Sequence, residues 1–257
     1  MYPYIHIFGR TIGTYGMCMV AAFSLVAFLA YHSGKKRGLL WEDIFIIAAT
    51  TLGCALLCGS MLYIVVTYPW QQILSFIRQG DWRFLSSGII FYGGLAGGIL
   101  GALLGTHIAG SSLSAMEQAV VPFIPLGHAI GRVGCVLAGC CHGFSYTGPF
   151  ALYYPQSLLG LPADQGYFPA QPVESIINVL ICILLLCYRK FAKQTMDLLF
   201  AYLGLYSLSR FFLEMLRGDA LRGLWNGIST SQWISIVIFA VCMMRCIWCA
   251  ISSVDRK

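Results

Sequence analysis

The chain has 257 residues, of which 58% are hydrophobic and only 10% charged, with a formal net charge of +6. A soluble domain has about a quarter charged residues, so the composition excludes an ordinary soluble protein and predicts an all-α, polytopic membrane protein, a single integral membrane domain over 1–257. The basic residues cluster at the ends of apolar runs, where they orient a chain and meet headgroups, so a nucleic-acid partner is not expected.

A spanning helix takes about 20 mostly apolar residues. About seven such runs are predicted, at Ile12–Tyr31, Ile44–Tyr68, Gly88–Ile108, Gln118–Leu137, Pro172–Tyr188, Met196–Met215 and Ser231–Ile251. The first lacks a basic leader and a small-residue cleavage site and is expected to be a retained helix. Between the second and third, Pro69–Ser87 carries Trp70, Trp82, Arg78 and Arg83 and reads as a segment lying in the membrane interface. The third run has Gly93, Gly97, Gly101 and Gly105 at four-residue spacing, beside Gly94 and Gly98. Such a stripe lets a second helix backbone approach closely.

With the N-terminus outside, the inner side holds Lys35, Lys36, Arg37, Arg189, Lys190, Lys193, Arg245, Arg256 and Lys257. The outer side then holds only Arg10, Arg78, Arg83, Arg217 and Arg222. The positive-inside rule therefore predicts the N-terminus outside and the C-terminus cytoplasmic. This places a long loop, 139–171, on the outer face between the fourth and fifth helices. Loops of that length in compact proteins serve as lids or binding elements, and Ala151–Tyr154 is expected to be a short extended piece within it. Pro172 suits the first turn of the fifth helix, which puts Glu174 near its N-terminus, where helix capping and catalysis are both open readings.

Charges inside the apolar runs carry the functional signal. Tyr206, Arg210, Glu214 and Arg217 follow one another at spacings of four, four and three and share a helical face. An arginine at membrane depth costs about 2.5–3.5 kcal/mol on the insertion scale, so such residues face a protein interior or a watery cavity. Arg210 and Glu214 neutralise each other on one reading. Arg132, in the fourth run, needs its own counter-charge, and Glu214 cannot compensate three arginines. The excess predicts an anionic ligand, with a phospholipid phosphate the natural one in a membrane, gripped by the two-pronged guanidinium. His128, four residues before Arg132, is expected to hydrogen-bond a neighbouring helix.

Of the 11 cysteines, only Cys135, Cys140 and Cys141 are grouped with polar residues. The single CxxC spacing, Cys246 to Cys249, lies in an apolar run and is not of zinc type, and adjacent residues such as Cys140, Cys141 and His142 are awkward to use together as ligands, so no metal site is expected. A catalytic thiol activated by His142 is the chemically easier use.

Four segments resemble the prolipoprotein diacylglyceryl transferase family. Its GRxGNFxNGExxGR signature is matched by Gly131-Arg132-Val133-Gly134-Cys135-Val136-Leu137-Ala138-Gly139-Cys140-Cys141-His142-Gly143-Phe144. HGGL appears as Tyr92-Gly93-Gly94-Leu95, PxQLYE as Pro169-Ala170-Gln171-Pro172-Val173-Glu174, and YGxxRFxxExxR as the stretch from Tyr206 to Arg217. Tyr15-Gly16 matches an early Tyr-Gly pair. The segments run in family order from the first helix to the sixth. Here Tyr92 replaces the family's histidine, Cys135 and Ala138 its asparagines, Cys140 its glutamate and Phe144 its second signature arginine.

The resemblance implies a bacterial inner-membrane enzyme that moves a diacylglyceryl group from phosphatidylglycerol, or a related anionic phospholipid, to the lipobox cysteine of a lipoprotein precursor peptide, without a cofactor. It implies catalytic roles for Arg132, Arg210 and Glu214, with Tyr92, Cys140, Cys141 and His142 standing where the family's proton-transfer groups are expected. Tyr15, Gly93, Gly94, Gln171, Glu174, Tyr206 and Arg217 would contact substrate. Three other readings stand beside it: a lipid transferase using Cys140 or Cys141 as nucleophile, a membrane thiol redox protein, and a lipid-binding protein without catalysis.

Overall fold

The fold, given by a computed structural model, is described for all residues except Met1, Phe8, Ser87, Lys193, Gln194, 219–223, Asn226 and 255–257. Lys193, Arg222, Arg256 and Lys257, used above for orientation, lie outside the described residues. So does the side chain of Tyr92.

The elements in chain order are β1 (Tyr4–Ile7), β2 (Arg10–Gly13), α1 (Thr14–Lys35), α2 (Trp41–Thr67), α3 (Trp70–Gln79), α4 (Phe91–Ile108), α5 (Leu113–Val120) and α6 (Ile124–Ala138). They continue with β3 (Leu152–Tyr153), β4 (Gly166–Tyr167), α7 (Ala170–Tyr188), α8 (Asp197–Met215), β5 (Leu224–Trp225), β6 (Ile228–Ser229) and α9 (Thr230–Val254). Six helical stretches are long and apolar enough to cross a membrane, and Gly93–Ile108 is a shorter apolar one. This agrees with the predicted polytopic architecture. Large apolar side chains such as Leu57, Met61 and Val65 on α2, Leu180 and Leu184 on α7 and Trp248 on α9 point outward, as lipid contact requires.

The chain forms two compact units, Met1–Leu29 with Val120–Lys257, and Ala30–Ala119. In the second unit the glycine stripe does what its spacing predicts. A Cβ added at Gly93 would meet the Cys58 carbonyl oxygen at 2.5 Å, and one at Gly97 or Gly101 would run into the carbonyl of Cys54 or Thr50. The α4 backbone thus lies directly on α2, which leaves Gly93 a packing role in this unit. Gly94 is less tight, with its Cβ position 3.6 Å from the Ala55 carbonyl. The Pro69–Ser87 segment forms α3 and a 3-10 turn at Trp82–Ser86, and buries Ile73 and Phe84 with Ile64 of α2.

The first unit opens with an antiparallel hairpin, β1 on β2, turning at Gly9 with φ 73°. No sequence signal marks it, because the segment is too short and too mixed for an apolar run. The fourth predicted run is α5 and α6 joined by a 3-10 turn at Val121–Phe123. Pro122 and Pro125, both buried, remove backbone donors there and break the regular ladder. Helix α6 packs on α7, α7 on α8, and α8 on α9. Ile181 and Leu185 of α7 meet Leu198 of α8 and Val121 in a buried core, with Tyr202 and Tyr206 against it. Helix α9 is tied to the start of α8 by Arg245, whose Nη2 lies 2.9 Å from Asp197 Oδ1. The α6–α7 loop is ordered: β3 pairs with β4, as the expected extended piece at Ala151–Tyr154 anticipates, and Ser145 bridges Tyr167.

Candidate active site

Glu174 is the hub of a buried polar network in the first unit. The Oε1 atom of Glu174 lies 2.9 Å from Arg132 Nη2 on α6, and its Oε2 lies 3.6 Å from Arg210 Nη1 on α8. On the same carboxylate, Tyr206 donates its hydroxyl to Oε1 at 3.4 Å, and His128 Nε2 lies 3.7 Å from Oε1. Arg210 is held on its other edges by Glu214 Oε2, 2.7 Å from Nη2, and by Ser231 Oγ, which accepts from Nε at 3.1 Å. Asn178 donates from Nδ2 to the Glu174 carbonyl at 2.8 Å.

Two readings of Glu174 and of the charge balance change. Helix α7 begins at Ala170, two residues before Pro172, so Glu174 falls beyond the first turn and is not an end cap. It supplies the second carboxylate that Arg132 and Arg210 need. With Glu214 it makes a quartet of two guanidiniums and two carboxylates, so the excess positive charge inferred from sequence falls to Arg217. Arg217 in turn leaves the expected face. Helix α8 ends at Met215, and Arg217 pairs by backbone with Gly143 in the α6–α7 loop.

Among the described residues, two donors in the quartet lack a hydrogen bond, and of these Arg210 Nη1 still has the 3.6 Å ion pair with Glu174 Oε2. Arg132 Nε is buried with no hydrogen-bond partner among the described residues. A buried unsatisfied donor costs roughly 1–3 kcal/mol, and a guanidinium edge left in that state is suited to take an acceptor from a ligand.

The α6–α7 loop is pinned beside this network. Gln171 is buried, and its Nε2 donates to the Cys140 carbonyl at 2.8 Å. The Tyr154 hydroxyl lies 3.1 Å from Gln171 Oε1 and 2.9 Å from its Nε2. Burial pushes the Tyr154 phenol up to about 12, so it remains a neutral hydrogen-bonding group. Gln171 therefore spends its amide on the loop. Tyr15, at the start of α1, lies against Gly134, where an added Cβ would sit 3.2 Å from its ring and 3.0 Å from Cys18.

The three thiols meet for a reason legible in the backbone. Gly139 follows α6 at φ 68°, its N–H bonded to the Val136 carbonyl at 3.2 Å, and the Cys140 N–H bonds to the Cys135 carbonyl at 3.1 Å. This is a Schellman ending, which brings the side chains three before and two after the end together: here Cys135 and Cys140. The sulfurs of Cys135, Cys140 and Cys141 all lie within 4.8 Å of one another. Hydrogen bonds from Cys135 and Cys140, aided by Arg217 and Arg132, hold the Cys141 thiol well below the usual range, while the same contacts push Cys140 up. His142 is not the third member of the group that the Cys-Cys-His run suggested. Its Nδ1–H donates to the Gly143 carbonyl at 2.8 Å, and its ring packs on Tyr167.

Of the predicted site residues, Arg132, Glu174, Tyr206, Arg210 and Glu214 come together around one carboxylate pair. Cys140, Cys141, His142, Gln171 and Arg217 belong to the adjoining loop layer, and Gly93 and Gly94 belong to the other unit. His128 and Ser231 are network members that are not among the residues predicted from sequence. The four-residue step from His128 to Arg132 was the available signal for the histidine. Ser231, at the start of α9, gave none.

A family model described as prolipoprotein diacylglyceryl transferase matches residues 3–248. The chain is 32% identical over 232 residues to phosphatidylglycerol-prolipoprotein diacylglyceryl transferase 2 of Clostridium perfringens (strain 13 / Type A), covering 90% of this chain and 89% of that protein. It is 31% identical over 231 residues to the corresponding transferase of Clostridium tetani (strain Massachusetts / E88), covering 90% of each. It is also 31% identical over 216 residues to that of Bacillus cereus (strain G9842), covering 80% of this chain and 77% of that protein. With a multi-pass helical architecture and a match along nearly its whole length, the chain belongs to the prolipoprotein diacylglyceryl transferase family.

Proposed function

We propose that this chain transfers a diacylglyceryl group from phosphatidylglycerol to the lipobox cysteine of lipoprotein precursors, and that Arg132 and Arg210 bind the donor's phosphate. The observation that carries the assignment of residues is the buried quartet around Glu174, with the Arg132 Nε edge unspent. In the reaction the acceptor sulfur attacks the glyceryl carbon next to the phosphate oxygen. A C–S bond forms, the C–O bond breaks, and its electron pair leaves on glycerol phosphate, which gains a negative charge. Two guanidiniums fixed in a dry site stabilise that charge as it develops. Glu214 and Ser231 hold Arg210 in place, and Glu174 is the internal anion that the phosphate displaces from part of its contacts.

The acceptor thiol must lose a proton. With Tyr92 in place of the family's histidine, His128 is the residue that suits the task. Its Nε2 lies 3.7 Å from Glu174 Oε1, and it is the more exposed partner of that pair, 23% against 4%. Cys140 and Cys141 are not the nucleophiles. A diacylglyceryl group on either sulfur would be a thioether, whose sulfur is too poor a leaving group to pass the lipid on. The distribution of basic residues supports placing the N-terminus and the 139–171 loop outside and the C-terminus in the cytoplasm.

Purified protein given labelled phosphatidylglycerol and a lipobox peptide tests the reading. Lipidated peptide is lost in Arg210→Ala and kept in Cys140→Ala and Cys141→Ala. A lipid adduct on Cys140 or Cys141 that chases into product would overturn it.

A further inference from the structure

We infer that Cys135, Cys140 and Cys141 form a three-thiolate site for a soft d10 cation such as zinc(II). This goes beyond the transferase reading and does not rest on it. Sequence alone argued against a metal because Cys140, Cys141 and His142 are consecutive. The fold replaces the histidine with Cys135, five residues before Cys140, by closing α6 in a Schellman turn. Three sulfurs around zinc at about 2.3 Å stand about 3.8–4.0 Å apart. The trio already lies within 4.8 Å, so side-chain rotation of less than about an ångström completes the site.

Thiolate donors select soft cations over the oxygen-seeking magnesium and calcium. Binding releases the three thiol protons to solvent and leaves a zinc tris-thiolate with one negative charge. Arg132 and Arg217 lie close enough to Cys141 to interact with it electrostatically, and they offset that charge.

The supporting contacts are those a metal site needs in order to hold its ligands still. Gln171 fixes the Cys140 carbonyl, Ser157 Oγ donates to the Gly139 carbonyl at 3.0 Å, and Leu158 N–H donates to the Ala138 carbonyl at 3.2 Å. Among the described residues the ligand atoms that meet are the three sulfurs and no histidine nitrogen, so the fourth zinc position falls to water or an outside ligand. A disulfide within the trio would need an external oxidant and would strand one thiol, whereas a cation uses all three.

The test titrates the full, reduced protein in detergent with cadmium(II), followed by the ultraviolet thiolate-to-cadmium charge-transfer band and competed with zinc(II). One ion per chain is expected. Cys140→Ser and Cys141→Ser should each weaken binding by at least about tenfold, the lower end of what loss of even an outer-shell partner costs. Cys182→Ser and Cys242→Ser, buried elsewhere, should leave it unchanged. Thermal unfolding in the same detergent shows that each variant is folded, and if Cys135→Ser is not, the two loop variants decide. A band that survives both loop substitutions overturns the site. So does a disulfide joining two of the three cysteines in protein taken from cells with its thiols blocked.

Discussion

Glu174 decides the electrostatics at the scale of single residues. Glu174→Gln keeps the shape but leaves Arg132 without its counter-charge, and breaking a buried pair from one side costs about 3–5 kcal/mol. The variant should unfold at a clearly lower temperature in detergent and transfer little lipid, with Glu174→Asp intermediate in both. Unchanged stability in Glu174→Gln would mean that the quartet does not hold the helices together. The residues of this network were mostly visible in the sequence, yet their partnership was not. Arg210 and Glu214 are four apart on one helix and can be paired by spacing. Arg132 with Glu174 and Glu174 with Arg210 are contacts between helices, which no periodicity within one chain segment encodes. If His128 accepts the thiol proton, His128→Ala should depress transfer most above the acidic limb of the rate profile, where the imidazole is neutral and able to take the proton, and should flatten that limb. An unaltered profile would assign the proton elsewhere.

The strongest sequence signal at the level of elements was the glycine stripe of α4, and its meaning is local packing. Gly97→Leu places a side chain into the Cys54 carbonyl, and overpacking of this kind costs roughly 1–3 kcal/mol. Gly98→Ala meets only Ala55 and Thr51 side-chain atoms at 3.9 and 4.0 Å and should be neutral or stabilising by up to about 1 kcal/mol. Melting temperatures of the two variants in one detergent separate these outcomes. The long helices were legible because an apolar run of bilayer length has few alternatives. The β1–β2 hairpin and the Schellman meeting of Cys135 with Cys140 were not, since both depend on a single left-handed glycine, Gly9 or Gly139, whose conformation composition does not reveal.

For the whole molecule, family membership was readable from four weak motifs in order, and the match over residues 3–248 bears it out. Orientation is the open architectural proposal. Phe150→Cys, at a loop position 88% exposed, should react with a membrane-impermeant thiol reagent on intact cells above the background of the unaltered protein. Lys36→Cys should react only after permeabilisation. The reverse pattern would invert the topology and place the loop in the cytoplasm.

The account rests on Arg132 and Arg210 binding the phosphate of the lipid donor, and the measurement closest to that claim is kcat/KM for phosphatidylglycerol in purified Arg132→Ala, with folding checked by thermal unfolding. A fall of at least about 100-fold, near 2.7 kcal/mol, is expected for a group that stabilises charge in the transition state. A folded Arg132→Ala protein within about twofold of the unaltered enzyme would contradict it.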